Sequence, residues 1–76
     1  MLAKNIAYNK SLLSIHMPRK EIGDMEGVML AQMLYSNVHL RKLELEGNLL
    51  GPKTAAAFGE VLKVNKTLKF LDLEAN

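Results

Sequence analysis

No cysteine occurs among the 76 residues. No disulfide can staple the fold, and zinc sites built on thiolates are excluded. That absence suits a reducing compartment, and the expected location is cytoplasmic. Aromatic residues are scarce, at 5%, which leaves few rings to stack on bases. A large excess of one charge is missing too, since ten Lys and Arg against eight Asp and Glu leave +2. So small an excess argues against a nucleic-acid partner, which needs a concentrated basic face. Long apolar runs are absent, and Lys4 interrupts the first residues, so neither a secretory segment nor a membrane span is expected. No linker or low-complexity stretch divides the chain, whose length allows one small domain at most. Domains of this size bury a smaller share of their surface than large ones and are marginally stable.

The chain does contain a repeat of 28 residues. Asn9, Asn37 and Asn65 keep that spacing, as do Leu12, Leu40 and Leu68. Ile15, Leu43 and Leu71 follow it, then Met17, Leu45 and Leu73. Gly23 matches Gly51, Leu30 matches Phe58, and Ile6 matches Leu34 and Leu62. Leu40, Leu43, Leu45, Asn48 and Leu50 fill every fixed position of the pattern L-x-x-L-x-L-x-x-N-x-L, the signature of a leucine-rich repeat. The expected division is a partial helix at 1–8, a full unit at 9–36, a second at 37–64 and a partial unit at 65–76.

Each unit has a physical reading. Lys42 to Glu46 alternates polar and apolar residues, which predicts a short strand with Leu43 and Leu45 turned inward. Past Gly51 and Pro52 the period becomes helical, with proline at a helix start where its missing N–H costs nothing. Ala55, Phe58, Val61 and Leu62 then share one face. Asp24 opens the equivalent helix of the preceding unit, and its charge favours the N-terminal end of the dipole. Asn37 and Asn65 follow the last helical turns, where asparagine tolerates the left-handed backbone that ends a helix. The expected fold is α/β: a short horseshoe arc of leucine-rich-repeat solenoid, with parallel strands near 14–17, 42–45 and 70–73 on the concave face. Helices near 24–35 and 52–64 form the convex face. Leu43, Leu45, Phe58, Leu62 and Leu71 are expected in the core.

The long helical half of each unit resembles the ribonuclease-inhibitor class, which includes ribonuclease inhibitor, the Ran GTPase-activating protein, NOD-like receptors and the tropomodulins. The segment from Leu62 to Lys69 is similar to a tropomodulin repeat, a family that caps actin filaments. Two positions depart from the pattern. Lys20 stands where the other units have Asn48 and Asn76, so the first turn is expected to be looser or differently closed. Pro18 stands where they have Glu46 and Glu74, and its missing donor predicts an edge strand or an early strand end. Solenoids need about three units with polar caps. Two full units predict a homo-oligomer or a fragment of a longer repeat protein.

The concave face is the usual binding surface of such arrays. Stacking in register makes columns of Ser14, Lys42 and Phe70, then His16, Glu44 and Asp72, then Pro18, Glu46 and Glu74. The candidate protein-binding residues are therefore Lys42, Glu44, Glu46, Phe70, Asp72 and Glu74. Four clustered carboxylates repel one another across strands, and a basic partner would relieve them while Phe70 supplies an apolar anchor. His16 beside Glu44 and Asp72 raises a metal site, but a single histidine without a second at helical spacing argues against one. Paired carboxylates also raise acid–base chemistry, which an open sheet does not enclose. No catalytic residue, metal or cofactor is expected.

Other features have ordinary readings. Arg19 could act as a GTPase-activating finger, though exposed loop arginines are common. Asn9-Lys10-Ser11 and Asn65-Lys66-Thr67 match the glycosylation pattern, and read better as helix-capping asparagines. Met25, Met29 and Met33 read as packing, and Lys53, Lys63, Lys66 and Lys69 as a solubilising face. The expected function is a protein-interaction scaffold or recognition module, not an enzyme, without membrane or nucleic-acid partners. Regulation of an enzyme or of the cytoskeleton is the alternative: GTPase activation, inhibition or tropomodulin-like filament capping.

Overall fold

Alternating residues and helical periods translate into six short elements. They run α1 (Leu2–Ala7), β1 (Ser14–His16), α2 (Asp24–Met33), β2 (Lys42–Glu44), α3 (Pro52–Val61) and β3 (Phe70–Asp72). The computed structural model describes residues 2–76, with side chains from residue 5 onward. Met1, part of the expected partial helix, lies outside the described residues. The strands form one parallel sheet in the order β1-β2-β3, which makes the chain a small α/β domain.

Register follows the sequence offset. Ser14 pairs with Lys42 and Lys42 with Phe70; Ile15, Leu43 and Leu71 align beside them, then His16, Glu44 and Asp72. Each strand is one residue shorter than expected. Backbone bonds nonetheless continue past the ends, from Met17 N–H to the Glu44 carbonyl at 2.9 Å and from Leu45 N–H to the Asp72 carbonyl at 2.8 Å. Pro18 follows directly on β1, an edge strand, and Arg19 N–H reaches the Glu46 carbonyl at 3.0 Å. Proline thus takes the one position in this stretch whose nitrogen would face the open edge, the place a sheet tolerates it.

Leu30, Leu40, Leu43, Leu45 and Val61 are fully buried, and Phe58 nearly so, in one core shared by sheet and helices. Leu62 and Leu71 are only partly buried. Edge position alone does not expose Leu71, since Ile15 on the other edge strand is buried; β3 is the last described element, and no helix follows it to pack over Leu71. Leu62 caps α3 where the helix tightens into i→i+3 turns, from Lys63 N–H to the Glu60 carbonyl and from Val64 N–H to the Val61 carbonyl. The same tightening ends α2 at Met33 rather than residue 35. Met25 is exposed while Met33 is buried, so the three methionines do not make a single packed stripe.

The asparagines do more than end helices. Asn37 and Asn65 are buried, and neither has a positive φ, so they do not close their helices through a left-handed backbone. Their side chains bind instead. Asn37 Nδ2 donates to the carbonyls of Ile6 (2.9 Å) and Asn9 (3.2 Å), while its Oδ1 accepts from His39 and Leu40 N–H, both at 2.8 Å. Asn65 repeats the pattern on Leu34, Asn37, Thr67 and Leu68. A buried Asn65 amide so engaged offers no acceptor for a glycan. At the other edge, Asn48 Oδ1 accepts from Lys20 N–H at 2.7 Å and Ile22 N–H at 3.2 Å, and Asn48 Nδ2 donates to the Met17 and Leu45 carbonyls. The first turn is thereby closed from its neighbour, as Lys20 offers only its backbone. Positive φ recurs at Arg19 (49°), Gly47 (70°) and Ala75 (58°), and the first turn adds Glu21 at 58°. Only glycine adopts this region without steric cost.

Gly27 is buried where α2 meets α3. A methyl group there would overlap the Thr54 and Leu50 side chains. Asp24 ties the same two helices: its Oδ1 accepts from Gly51 N–H at 2.8 Å and from the Thr54 hydroxyl at 2.6 Å. These bonds hold the Asp24 carboxyl below its ordinary range, the Thr54 hydroxyl most of all.

Two substitutions test this packing. Leu43→Ala is expected to cost about 2–5 kcal/mol, the range for an emptied leucine site, and to leave a domain this small largely unfolded by circular dichroism. An unchanged melting curve would remove Leu43 from the core. Gly27→Ala, normally favourable inside a helix, is expected to destabilise by about 1–3 kcal/mol from overpacking; a higher melting temperature would mean that α2 and α3 are further apart.

Candidate functional site

One face of the sheet carries the core and the other carries polar groups. Outward residues alternate with buried ones along each strand, so Lys42 and Glu44 of β2 and Phe70 and Asp72 of β3 share the open face. Glu46 and Glu74 continue that face past the strand ends, where Gly47 N–H bonds the Glu74 carbonyl at 2.9 Å. The six expected binding residues, Lys42, Glu44, Glu46, Phe70, Asp72 and Glu74, are thus brought together. Phe70 is 47% exposed, a large apolar side chain to leave in water.

The internal pairing differs from a plain acidic patch. The Lys42 ammonium lies 5.3 Å from the centre of the Phe70 ring, within cation–π range. His16 Nε2 lies 2.9 Å from Glu46 Oε2, across the diagonal rather than straight along its column to Glu44. Diagonal neighbours on adjacent strands are within reach of long side chains. Sequence columns could not reveal this contact, because the side-chain torsions of Glu46 decide it. Glu46 Oε1 is buried and has no hydrogen-bond partner. An unsatisfied carboxylate oxygen is unusual, but this one is shielded from solvent and lies beside the residue's own backbone, whose N–H also favours the charged form. Asp72 is engaged locally, its Oδ1 accepting from Glu74 N–H at 2.9 Å.

Ligand atoms of His16, Glu44 and Glu46 all lie within 4.8 Å of one another. The column reading had placed Asp72 in this group, and the structure puts Glu46 there. An imidazole and two carboxylates suit a borderline divalent cation, and the same oxygens suit a guanidinium. Arg19, the loop arginine, is exposed and flanks Gly47.

A separate cleft of about 310 Å³ lies beyond the strand ends, lined by Leu50, Gly51, Pro52, Thr54, Ala55, Leu73 and Asn76. No charged side chain lines it. No helix of the described residues is long and apolar enough to cross a membrane. No family model matches the chain.

The His16 bond holds the Glu46 carboxyl below the ordinary glutamate value, with the charges of His16 and Arg19 adding to it. A depressed folded value means that this contribution to stability is fully present above about 4.5, the ordinary value, and is lost as pH falls through the lowered one. Carboxyl titration by NMR is expected to show Glu46 protonating at lower pH than in the His16→Ala variant. Identical midpoints would mean that the bond does not persist in solution.

Proposed function

We propose that the chain is a segment of leucine-rich-repeat solenoid whose concave sheet face binds a basic segment of another protein. The observation that carries this reading is the gathering of Glu44, Glu46, Asp72 and Glu74 on two adjacent strands and the turns that follow them, beside the exposed ring of Phe70. An arginine or lysine of the partner pairs with these carboxylates, of which Glu74 is the most exposed, and a hydrophobic neighbour covers Phe70. Exposed like charges on the sheet repel one another, so association relieves a standing cost. The 28-residue register and the asparagine bridges support the repeat assignment. A protein-recognition role follows from an open, charged, unenclosed face, on which water has free access to any reacting group. Enzyme regulation or filament capping would use the same face and is separated only by the partner's identity, since function resides in the site and not the fold.

Binding of a fluorescent peptide of alternating arginine and leucine tests the face. Affinity is expected to fall as salt rises, because exposed charges are screened over about 10 Å at 0.1 M ionic strength. Reversal of Glu44 and Glu46 to lysine is expected to abolish binding with the circular dichroism spectrum unchanged. Binding that ignores salt and survives the double reversal would move the site to the helices.

A further inference from the structure

The modest net charge of +2 conceals a strong segregation. Three segments carry the chain from helix to strand, at 8–13, 35–41 and 63–69. They hold Lys10, Arg41, Lys63, Lys66 and Lys69, half of the ten basic residues, and none of the eight acidic ones. The fold puts all three on one edge. Asn37 Nδ2 bonds the Asn9 carbonyl, Asn65 Nδ2 bonds the Asn37 carbonyl, and Lys69 N–H bonds the Arg41 carbonyl at 2.8 Å. All five basic side chains are exposed. Lys63 forms an i,i+3 pair with Glu60, and the Lys69 ammonium bonds the Lys66 carbonyl. Neutralising helix ends does not explain the cluster, since neither α2 nor α3 has a basic residue in its last turn.

Apolar side chains are interleaved with these cations. Tyr8 (74% exposed), Leu13 (61%), Tyr35 (56%), Val38 (56%) and Val64 (63%) all stand out from the same three segments. With Leu12 (40%), these segments hold six of the nine large hydrophobic side chains exposed among the described residues. In the repeat frame Lys10, Val38 and Lys66 are equivalent, and so are Leu13, Arg41 and Lys69. Each column therefore combines two cations with one apolar side chain.

We infer that this helix-to-strand edge docks peripherally on an anionic membrane surface. Lysine and arginine meet lipid phosphates and carboxylates, while tyrosine and aliphatic tips enter the interfacial layer. Several separate turn tips, each with its own apolar side chain, suit a continuous planar partner. The absence of a spanning helix does not bear on such a contact. It is independent of the carboxylate face, which occupies the sheet.

Sedimentation of the full chain with vesicles of phosphatidylserine mixed with phosphatidylcholine tests this, against vesicles of phosphatidylcholine alone. Binding is expected to the anionic vesicles and to weaken with salt. Each basic residue near such a surface contributes about fivefold in affinity, so Lys66→Gln with Lys69→Gln is expected to lower it about 25-fold. Tyr35→Ser with Val38→Ser is expected to weaken it at low and high salt alike, and circular dichroism checks that both variants fold. Equal binding to neutral vesicles, or no binding to either, overturns the proposal. So does anionic binding that neither variant changes. Binding to single-stranded DNA or polyglutamate that is lost with the lysines, without vesicle binding, reassigns the edge to nucleic acid or to an acidic protein.

Discussion

Buried asparagine side chains hold the turns of this chain in register. A parallel sheet three residues deep per strand has few ladder bonds of its own, and each strand must return to its neighbour by a long connection. Asn37 and Asn65 join one helix-to-strand turn to the previous one, and Asn48 and Asn76 do the same beyond the strand ends. Each amide presents a donor group and an acceptor. Asn37 and Asn65 donate to carbonyls of the previous turn and accept N–H groups of their own, while Asn48 and Asn76 accept N–H groups of the previous unit and donate to carbonyls of both. Buried backbone groups of irregular turns would otherwise lack partners, at a cost of about 1–3 kcal/mol apiece. Aspartate has no donor for the carbonyls, and leucine has neither.

Once the turns are fixed, the charge distribution follows. Alternation within β2 and β3 sends Leu43 and Leu71 inward and Lys42, Glu44, Phe70 and Asp72 outward. Residues 28 apart are thereby stacked beside one another, so Glu44 meets Asp72 while Lys42 lies between Ser14 and Phe70. On the sheet this stacking collects carboxylates, moderated by His16 on Glu46 and by Lys42 on Phe70. At the helix-to-strand edge it collects lysine, arginine and exposed apolar side chains. A near-neutral chain becomes a molecule with two chemically opposite surfaces.

The irregularities are local and have causes. Pro18 sits where an edge strand turns its nitrogen outward, so its missing donor costs no ladder bond. Lys20 interrupts the asparagine ladder at its first position, and Asn48 reaches across to bond its N–H. Positive φ at Glu21, which has no counterpart in the other turns, accompanies that substitution, whereas that of Arg19 recurs at Gly47 and Ala75. Between α2 and α3 the close approach depends on Gly27, and the shared carboxylate of Asp24 pins both helix starts there.

Periodicity in the sequence determined the element order, the parallel sense and the register, because a 28-residue offset of leucines and asparagines admits one alignment of the strands. It also determined which residues share the open face, since side chains alternate along a strand. Helix ends were less legible: the final turns tighten, so α2 and α3 stop short of their periodic patterns. The half-exposure of Leu71 was not legible either, because a leucine's burial depends on what packs over its strand. Tertiary structure alone decided three things. It chose Glu46 over Glu44 as the partner of His16, a matter of torsion angles. It made the asparagines act through their amides rather than their backbones, a matter of which carbonyls lie within reach. It also left Tyr8, Tyr35, Val38 and Val64 exposed beside the cations of the helix-to-strand edge, because exposure depends on what packs against a turn.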